Sequence, residues 1–301
     1  GWCRAELAAA LLSRNEVQVM VCTGAEANPF WLNPADAINL QPGTGCFTCC
    51  KLGHELHGKT FPCDRYHVGT FLNTMLDAKV GKMKQKRGSI QQRVEMRYYE
   101  CLRHYFLRGL MSPEDMNATA DFSCTTVAQL ERKLCWSKSE KTLPGWTLLT
   151  YAAMTDSLPV VKELLSQSVE VDPATTSLST TSAYTLELAC SGTSPLLWAM
   201  AYASFDVVKL LVGSKADPHR MVHFAGSTMD ALMIAGSRGR ADNVAEWLAL
   251  FPEWNLERTN NIGVTALMMT AYIAPNAGPT LQVLLNSRAN IHHRDIFGMH
   301  V

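Results

Sequence analysis

A chain of 301 residues in which 47% are hydrophobic is long enough for two ordinary domains, each with its own buried core. Its 27 lysines and arginines balance 27 aspartates and glutamates, so it lacks the positive surplus that drives binding to a phosphate backbone, and nucleic acid is disfavoured as a partner. No apolar run approaches the roughly 18 to 20 residues of a membrane span, and dispersed cysteines without an opening signal peptide point to a reducing, cytoplasmic compartment.

Along the chain, "CRAELAAALLSR" sets Leu7, Leu11 and Leu12 at helical spacing, and "VQVMVCTG" comes next as a short strand-like run ending at a turn glycine. The Pro, Asn and Gly content of residues 28–45 predicts a loop with a short helix near "PADAI". Residues 1–24 resemble the stretch of Toll/interleukin-receptor (TIR) domains in which Trp-Cys-x-x-Glu-Leu opens a helix leading into a buried strand: Trp2, Cys3, Glu6 and Leu7 fill those places. The resemblance covers about 45 residues and implies an α/β fold there. In TIR enzymes that cleave NAD this glutamate is the catalytic carboxylate, and Glu6 stands at the matching position. The residues themselves assign no catalytic group: the sequence has no Walker-type loop, no His-Glu-x-x-His and no Gly-x-Ser-x-Gly. The chain opens and closes inside motifs and reads as a fragment of a longer protein.

Next comes "CFTCCKLGH". Cys46, Cys49 and His54 have the Cys-x2-Cys-x4-His spacing of a zinc knuckle, with Gly53 as the small turn residue. The fourth ligand belongs at the position of Lys59, so Cys63, or Cys50 or His57 by substitution, would have to complete the set. The fit is partial, and neither a metal set nor any cofactor is assigned. Phe47 can stack on a base, but residues 33–45 carry no lysine or arginine. The nearest basic run, Lys79, Lys82, Lys84, Lys86 and Arg87, reads as a solvated connection. Beyond it Ile90, Val94, Tyr98, Cys101, Leu102 and Tyr105 line one face of a long helix. Residues 112–142 read as a connection plus one helix around Val127 to Trp136, placed to cap the apolar face of the first repeat after it.

From Gly145 the sequence repeats itself. Similar lines start at Gly145, Gly192, Thr228 and Gly263, and a further start puts Gly298 one period later. Small pairs such as Ala152 and Ala153 let helices approach, while Val160, Val161, Leu164 and Leu165 give a second helix an apolar face that a neighbour must cover. These lines resemble ankyrin repeats: Ser194, Pro195 and Leu196 match Thr-Pro-Leu, Val207 and Val208 match Val-Val, and Thr265, Leu267, Ala271, Leu284, Leu285 and Ala289 mark the fourth copy. The histidine that closes Thr-Pro-Leu-His is replaced by Thr150, Leu197, Met233 and Met268, so the hydrogen bonds it supplies must be absent or altered. An insertion from Pro173 to Thr185 separates the first two copies.

The expected architecture is an α/β or mixed part over residues 1–110, possessing the TIR-like stretch, then a linker and capping helix over 111–142, then an all-α ankyrin-repeat solenoid over 143–301 with four repeats and a truncated fifth. The resemblance implies a protein-protein interaction scaffold that positions the amino-terminal part, in intracellular signalling, with protein partners on the concave repeat surface. Two alternatives stand beside it: a TIR-like signalling or NAD-cleaving protein that uses the repeats for targeting, and a zinc-knuckle-like binder of metal or nucleic acid. Partner contacts are expected at the repeat tips, on Arg258, Asn260, Asn261, His292, His293 and Arg294.

Overall fold

A computed structural model describes residues 2–12, 19–22, 28–31, 41–85, 88–111, 124–137, 139, 141–179, 187–224, 227–274 and 276–301. The helix expected at "PADAI", Lys86 and Arg87, and the later part of the Ser/Thr insertion lie outside them. The chain divides into two compact units, residues 1–123 forming the body of one, and residues 124–179 with 187–301 the other.

The first unit is helix-rich. Helix α1 (Trp2–Leu12) buries Ala5, Ala8 and Leu12, three and four residues apart, and packs on α3 (Asp64–Gln85). Arg4 fastens it to a 3-10 turn (Pro42–Thr44), donating to the Gln41 carbonyl at 3.3 Å and to Thr44 Oγ1 at 2.8 Å. Among the described residues of this unit, strands are confined to two-residue antiparallel ladders, β1 (Met20–Val21) with β2 (Phe30–Trp31) and β3 (Glu55–Leu56) with β4 (Lys59–Thr60). The sheet of an α/β fold, which the TIR resemblance implies, is not among the described residues. A single turn of helix, α2 (Thr48–Lys51), precedes β3.

Helix α3 buries Val68, Leu72, Leu76 and Val80 at intervals of four, against α4 (Ile90–Cys101). Ser89 and Gln92 close a reciprocal capping box at the start of α4, and a short α5 (Arg103–Phe106) continues from it. Of the basic run, Lys79, Lys82 and Lys84 belong to α3. Lys84 Nζ donates to Glu100 Oε1 at 2.7 Å, and Lys79 Nζ sits 4.8 Å from the Tyr99 ring centroid. The buried Arg103 forks to Asn73 Oδ1, Asp77 Oδ1 and Glu100 Oε2, joining α5 to α3. The Glu100 carboxylate and the Tyr99 ring of α4 thus hold the heads of Lys84 and Lys79, while Lys82 and Lys84 stay on the solvated face of α3.

The second unit opens with α6 (Val127–Lys133), under a Thr126–Gln129 capping box. Among the described residues, four helix pairs come after it: α7 (Leu148–Met154) with α8 (Leu158–Ser166), α9 (Pro195–Tyr202) with α10 (Phe205–Gly213), α11 (Ala231–Ser237) with α12 (Ala241–Leu250), and α13 (Ala266–Ile273) with α14 (Gly278–Asn286). A two-stranded ladder, β5 (Val222–Phe224) with β6 (Ser227–Met229), stands ahead of the third pair. The first helices pack in succession, α7 on α9, α9 on α11 and α11 on α13, and the second helices do the same from α8 to α14. This is the layering that the apolar faces demand. Val160, Val161, Val207, Val208, Leu211, Val244 and Leu284 are fully covered, and burying each such side chain contributes about 1.5–3 kcal/mol.

Side-chain caps repeat with the helices. Thr147, Ser194, Asp230 and Thr265 each accept a hydrogen bond from the backbone N–H three residues on, at the start of α7, α9, α11 and α13. Between pairs, Asn243 Nδ2 donates to the Met200 and Ala203 carbonyls, and Arg240 Nη2 donates to Ala203, so polar groups at the start of α12 satisfy buried carbonyls at the end of α9.

Candidate functional site

The segments that join one pair to the next are built on a recurrent turn. Gly145, Gly192, Gly263 and Gly298 all adopt φ between 78° and 81°, the left-handed region. At Gly145 a Cβ would also stand 2.0 Å from the Ala174 carbonyl oxygen, so no larger residue fits. Three positions ahead of Gly263, Asn260 accepts from the backbone N–H groups of Ile262 and Val264 through one side-chain oxygen. Asp295, three ahead of Gly298, does the same for Phe297 and Met299. Both are Asx residues shaping the same tip.

Successive tips are stitched together. Ile296 N–H donates to the Ile262 carbonyl at 3.1 Å, Asn290 N–H to Glu257 Oε1 at 2.8 Å, and Thr228 N–H to Asn261 Oδ1 at 3.1 Å. Earlier in the unit, Arg220 Nε reaches Asp172 Oδ2 at 2.8 Å, and Ser191 exchanges backbone hydrogen bonds with His223. The result is an edge of tips whose backbone is fixed by its neighbours.

The six residues expected at a partner surface fall on two adjoining tips, with different duties. His292 and Arg294 are exposed, Arg294 giving one N–H to the Gly298 carbonyl at 2.8 Å. Asn261 is exposed beside its bond to Thr228. Arg258 is partly exposed and lies 3.8 Å from the buried Asp230 carboxylate. Burial raises the Asp230 carboxyl above its ordinary range, opposed by the Met233 N–H and by Arg258. Asn260 is only 5% exposed: its amide nitrogen bonds Ser227 Oγ at 2.9 Å, and its oxygen is occupied by the turn.

His293 is half-buried, its Nε2 3.1 Å from the Gly263 carbonyl and its Nδ1 3.9 Å from Glu257. That carbonyl has a counterpart in the first repeat, where Thr150 Oγ1 donates to the Gly145 carbonyl at 2.7 Å. Thr150 and Met268 both stand five residues after their turn glycine. The methionine has no donor to offer, and the ring of His293 supplies it from the next tip. Sequence reasoning noted the missing histidines but not this replacement.

These features define a repeat protein of stacked helix pairs joined by stitched tips. Residues 116–222 match the family model described as ankyrin repeats in three copies, so this stretch of the chain carries ankyrin repeats. No curated protein matches it. The match opens ahead of Gly145 and takes in α6. There is a physical reason: α6 packs on α8 as the later second helices pack on one another. It also ends as they do. Cys135 takes a left-handed φ of 48°, two residues past the helix, as Ser168, Lys215 and Arg288 do past α8, α10 and α14. Trp136 N–H then bonds Glu131 O, matching Ala216 to Leu211 and Ala289 to Leu284.

In the first unit Glu6 is an exposed residue of α1. The thiol-rich segment is more ordered than its sequence suggested. Cys49, Cys50, His54 and Cys63 each bring one donor atom within 4.8 Å of the others. Cys46, the first residue of the knuckle spacing, and His57 stand outside that group. The Cys50 thiol is pushed up to about 11, chiefly by its hydrogen bond with Cys63. No helix among the described residues is long and apolar enough to cross a membrane.

Proposed function

We propose that the second unit is a protein-binding scaffold, a solenoid of ankyrin repeats that holds a protein partner along its concave side and so positions the first unit within cytoplasmic signalling. Ankyrin repeats suggest a protein-protein interaction module, and stacked pairs offer an extended surface with side chains displayed from fixed backbone. The observation that carries the reading is the cross-tip stitching, Asn290 to Glu257, Ile296 to Ile262 and Thr228 to Asn261, because a backbone ordered in advance lowers the entropic cost of binding. Contact falls to Asn261, His292 and Arg294, with Arg258 at the margin. Asn260 and His293 act by shaping the tips.

The test is capture by the full chain, with the partner identified and its affinity measured. Changing Asn261, His292 and Arg294 together to alanine should weaken binding by about tenfold or more, while the lost Asn261–Thr228 bond costs about 1 kcal/mol of stability and the repeats stay folded. Equal affinity for the triple variant would reject the assigned surface.

A further inference from the structure

We propose that Cys49, Cys50, His54 and Cys63 form a structural site for a single Zn2+ ion, with three thiolates and one imidazole as ligands. The distances fit a tetrahedron. Zinc-sulfur bonds of about 2.3 Å give sulfur-sulfur edges of about 3.8 Å. Cys50 and Cys63 lie 3.5 Å apart and Cys49 and Cys63 3.9 Å apart, on either side of that edge.

The imidazole supplies an independent sign. His54 Nε2 is buried and has no hydrogen-bond partner, a state that costs about 1–3 kcal/mol unless something accepts or uses its lone pair. A metal ion among three sulfurs does so. The backbone delivers the ring to that place: His54 N–H bonds the Cys49 carbonyl at 2.9 Å, and Gly53 N–H bonds the Cys50 carbonyl at 3.3 Å. Gly53 and His54 both take left-handed φ, 64° and 58°, turning the chain back over α2. The β3–β4 hairpin then returns it, through Phe61 N–H to the His54 carbonyl, so that Cys63 arrives just ahead of α3.

Apolar packing does little here. Between Cys46 and Phe61 the buried hydrophobic residues among those described are Phe47 and Cys49, yet His54 and His57 hold left-handed conformations that non-glycine residues adopt at a cost. A bound metal would supply the missing stabilisation, since its binding energy is folding energy for such a segment. Sulfur and nitrogen donors select zinc over magnesium or calcium. A disulfide is the competing use of these atoms. It would join Cys63 to one of its two neighbours and leave the third sulfur and the ring unused, whereas zinc engages all four. On binding, each thiol that is protonated releases its proton to solvent.

The test uses the whole chain purified under reducing conditions, with metal content by mass spectrometry and Co2+ loading followed by absorption. Expected are one zinc per chain and, with cobalt, tetrahedral d–d bands with the charge-transfer intensity of three thiolates. Cys50→Ser, Cys63→Ser and His54→Ala should each weaken zinc binding by more than about 100-fold, exceeding the loss usual for outer-shell changes. Cys46→Ser should keep stoichiometric zinc. The proposal is overturned by wild-type protein that takes up no stoichiometric zinc, by a Cys50–Cys63 disulfide persisting in reductant, or by zinc lost in Cys46→Ser but kept in Cys50→Ser. If a variant fails to fold, the wild-type cobalt spectrum decides, and two thiolates or fewer reject the set.

Discussion

The repeat unit and the cysteine segment solve the same problem in opposite ways. In the repeats each helix pair exposes an apolar face and a neighbour covers it, so stability is spread over many similar contacts. In residues 46–63 few apolar side chains are buried, and order depends on a handful of polar and thiol groups gathered at one point. The first arrangement tolerates small losses anywhere. The second concentrates its risk.

That contrast can be broken experimentally. The largest effect is expected in the core of the repeats: Leu211→Ala, at a fully buried position of α10, should cost about 2–5 kcal/mol, read from urea unfolding followed by circular dichroism. Gly145→Ala should cost about 2 kcal/mol, because the new Cβ meets the Ala174 carbonyl and the residue must hold a left-handed φ. A neutral outcome would mean the tips are softer than the stitching implies.

Asp230 probes polar order inside the repeats. Asp230→Ala removes the cap of α11 and should cost about 1–2 kcal/mol. Burial raises the native pKa of Asp230, so the native state takes up its proton at a higher pH than the unfolded chain does. Its contribution to stability therefore rises as pH falls through the native pKa, is fully present below the unfolded value, and is smallest well above the native pKa. Asp230→Asn keeps an acceptor for Met233 and should abolish that pH dependence, measured as the difference between wild-type and variant stability across the acid range.

Smaller still are the two closures of the turn carbonyls. Thr150→Val and His293→Ala should each lose about 1 kcal/mol, and because their sites are separate the double variant should be additive. Finally, a chelator should leave the unfolding midpoint of the repeats unmoved while making Cys49 and Cys63 reactive toward a thiol reagent. A shifted midpoint would erase the contrast between the two regions.

The repeats were legible because four stretches of sequence carry one physical pattern: a turn residue that is glycine in three of them and Thr228 in the other, a capping oxygen, close-packing small residues, then an aliphatic face. Helix α6 was expected as a cap on the first repeat, and it packs there; what the sequence did not display is its likeness to the later second helices, which is conformational, the left-handed Cys135 followed by Trp136. Asn260 looked like a contact residue because it is polar and near a tip. The signal that reveals its duty is the interval of three to Gly263, repeated by Asp295 and Gly298. Helix α3 was obscured by its composition, with one buried side chain per turn between polar residues. In the cysteine segment, linear spacing favoured Cys46, whereas the short α2 turn presents Cys49 and Cys50 together to His54 and Cys63. Spacing along a chain cannot report a left-handed turn.

If a protein partner is held at the stitched tips of the repeats, binding must shield their backbone from solvent. Hydrogen exchange read by mass spectrometry, on the full chain with and without its identified partner, tests this most directly. Slowed exchange over residues 257–263 and 290–296 on binding is the predicted result. Protection confined to the second-helix layer, from α8 to α14, with the tips unchanged, would contradict it.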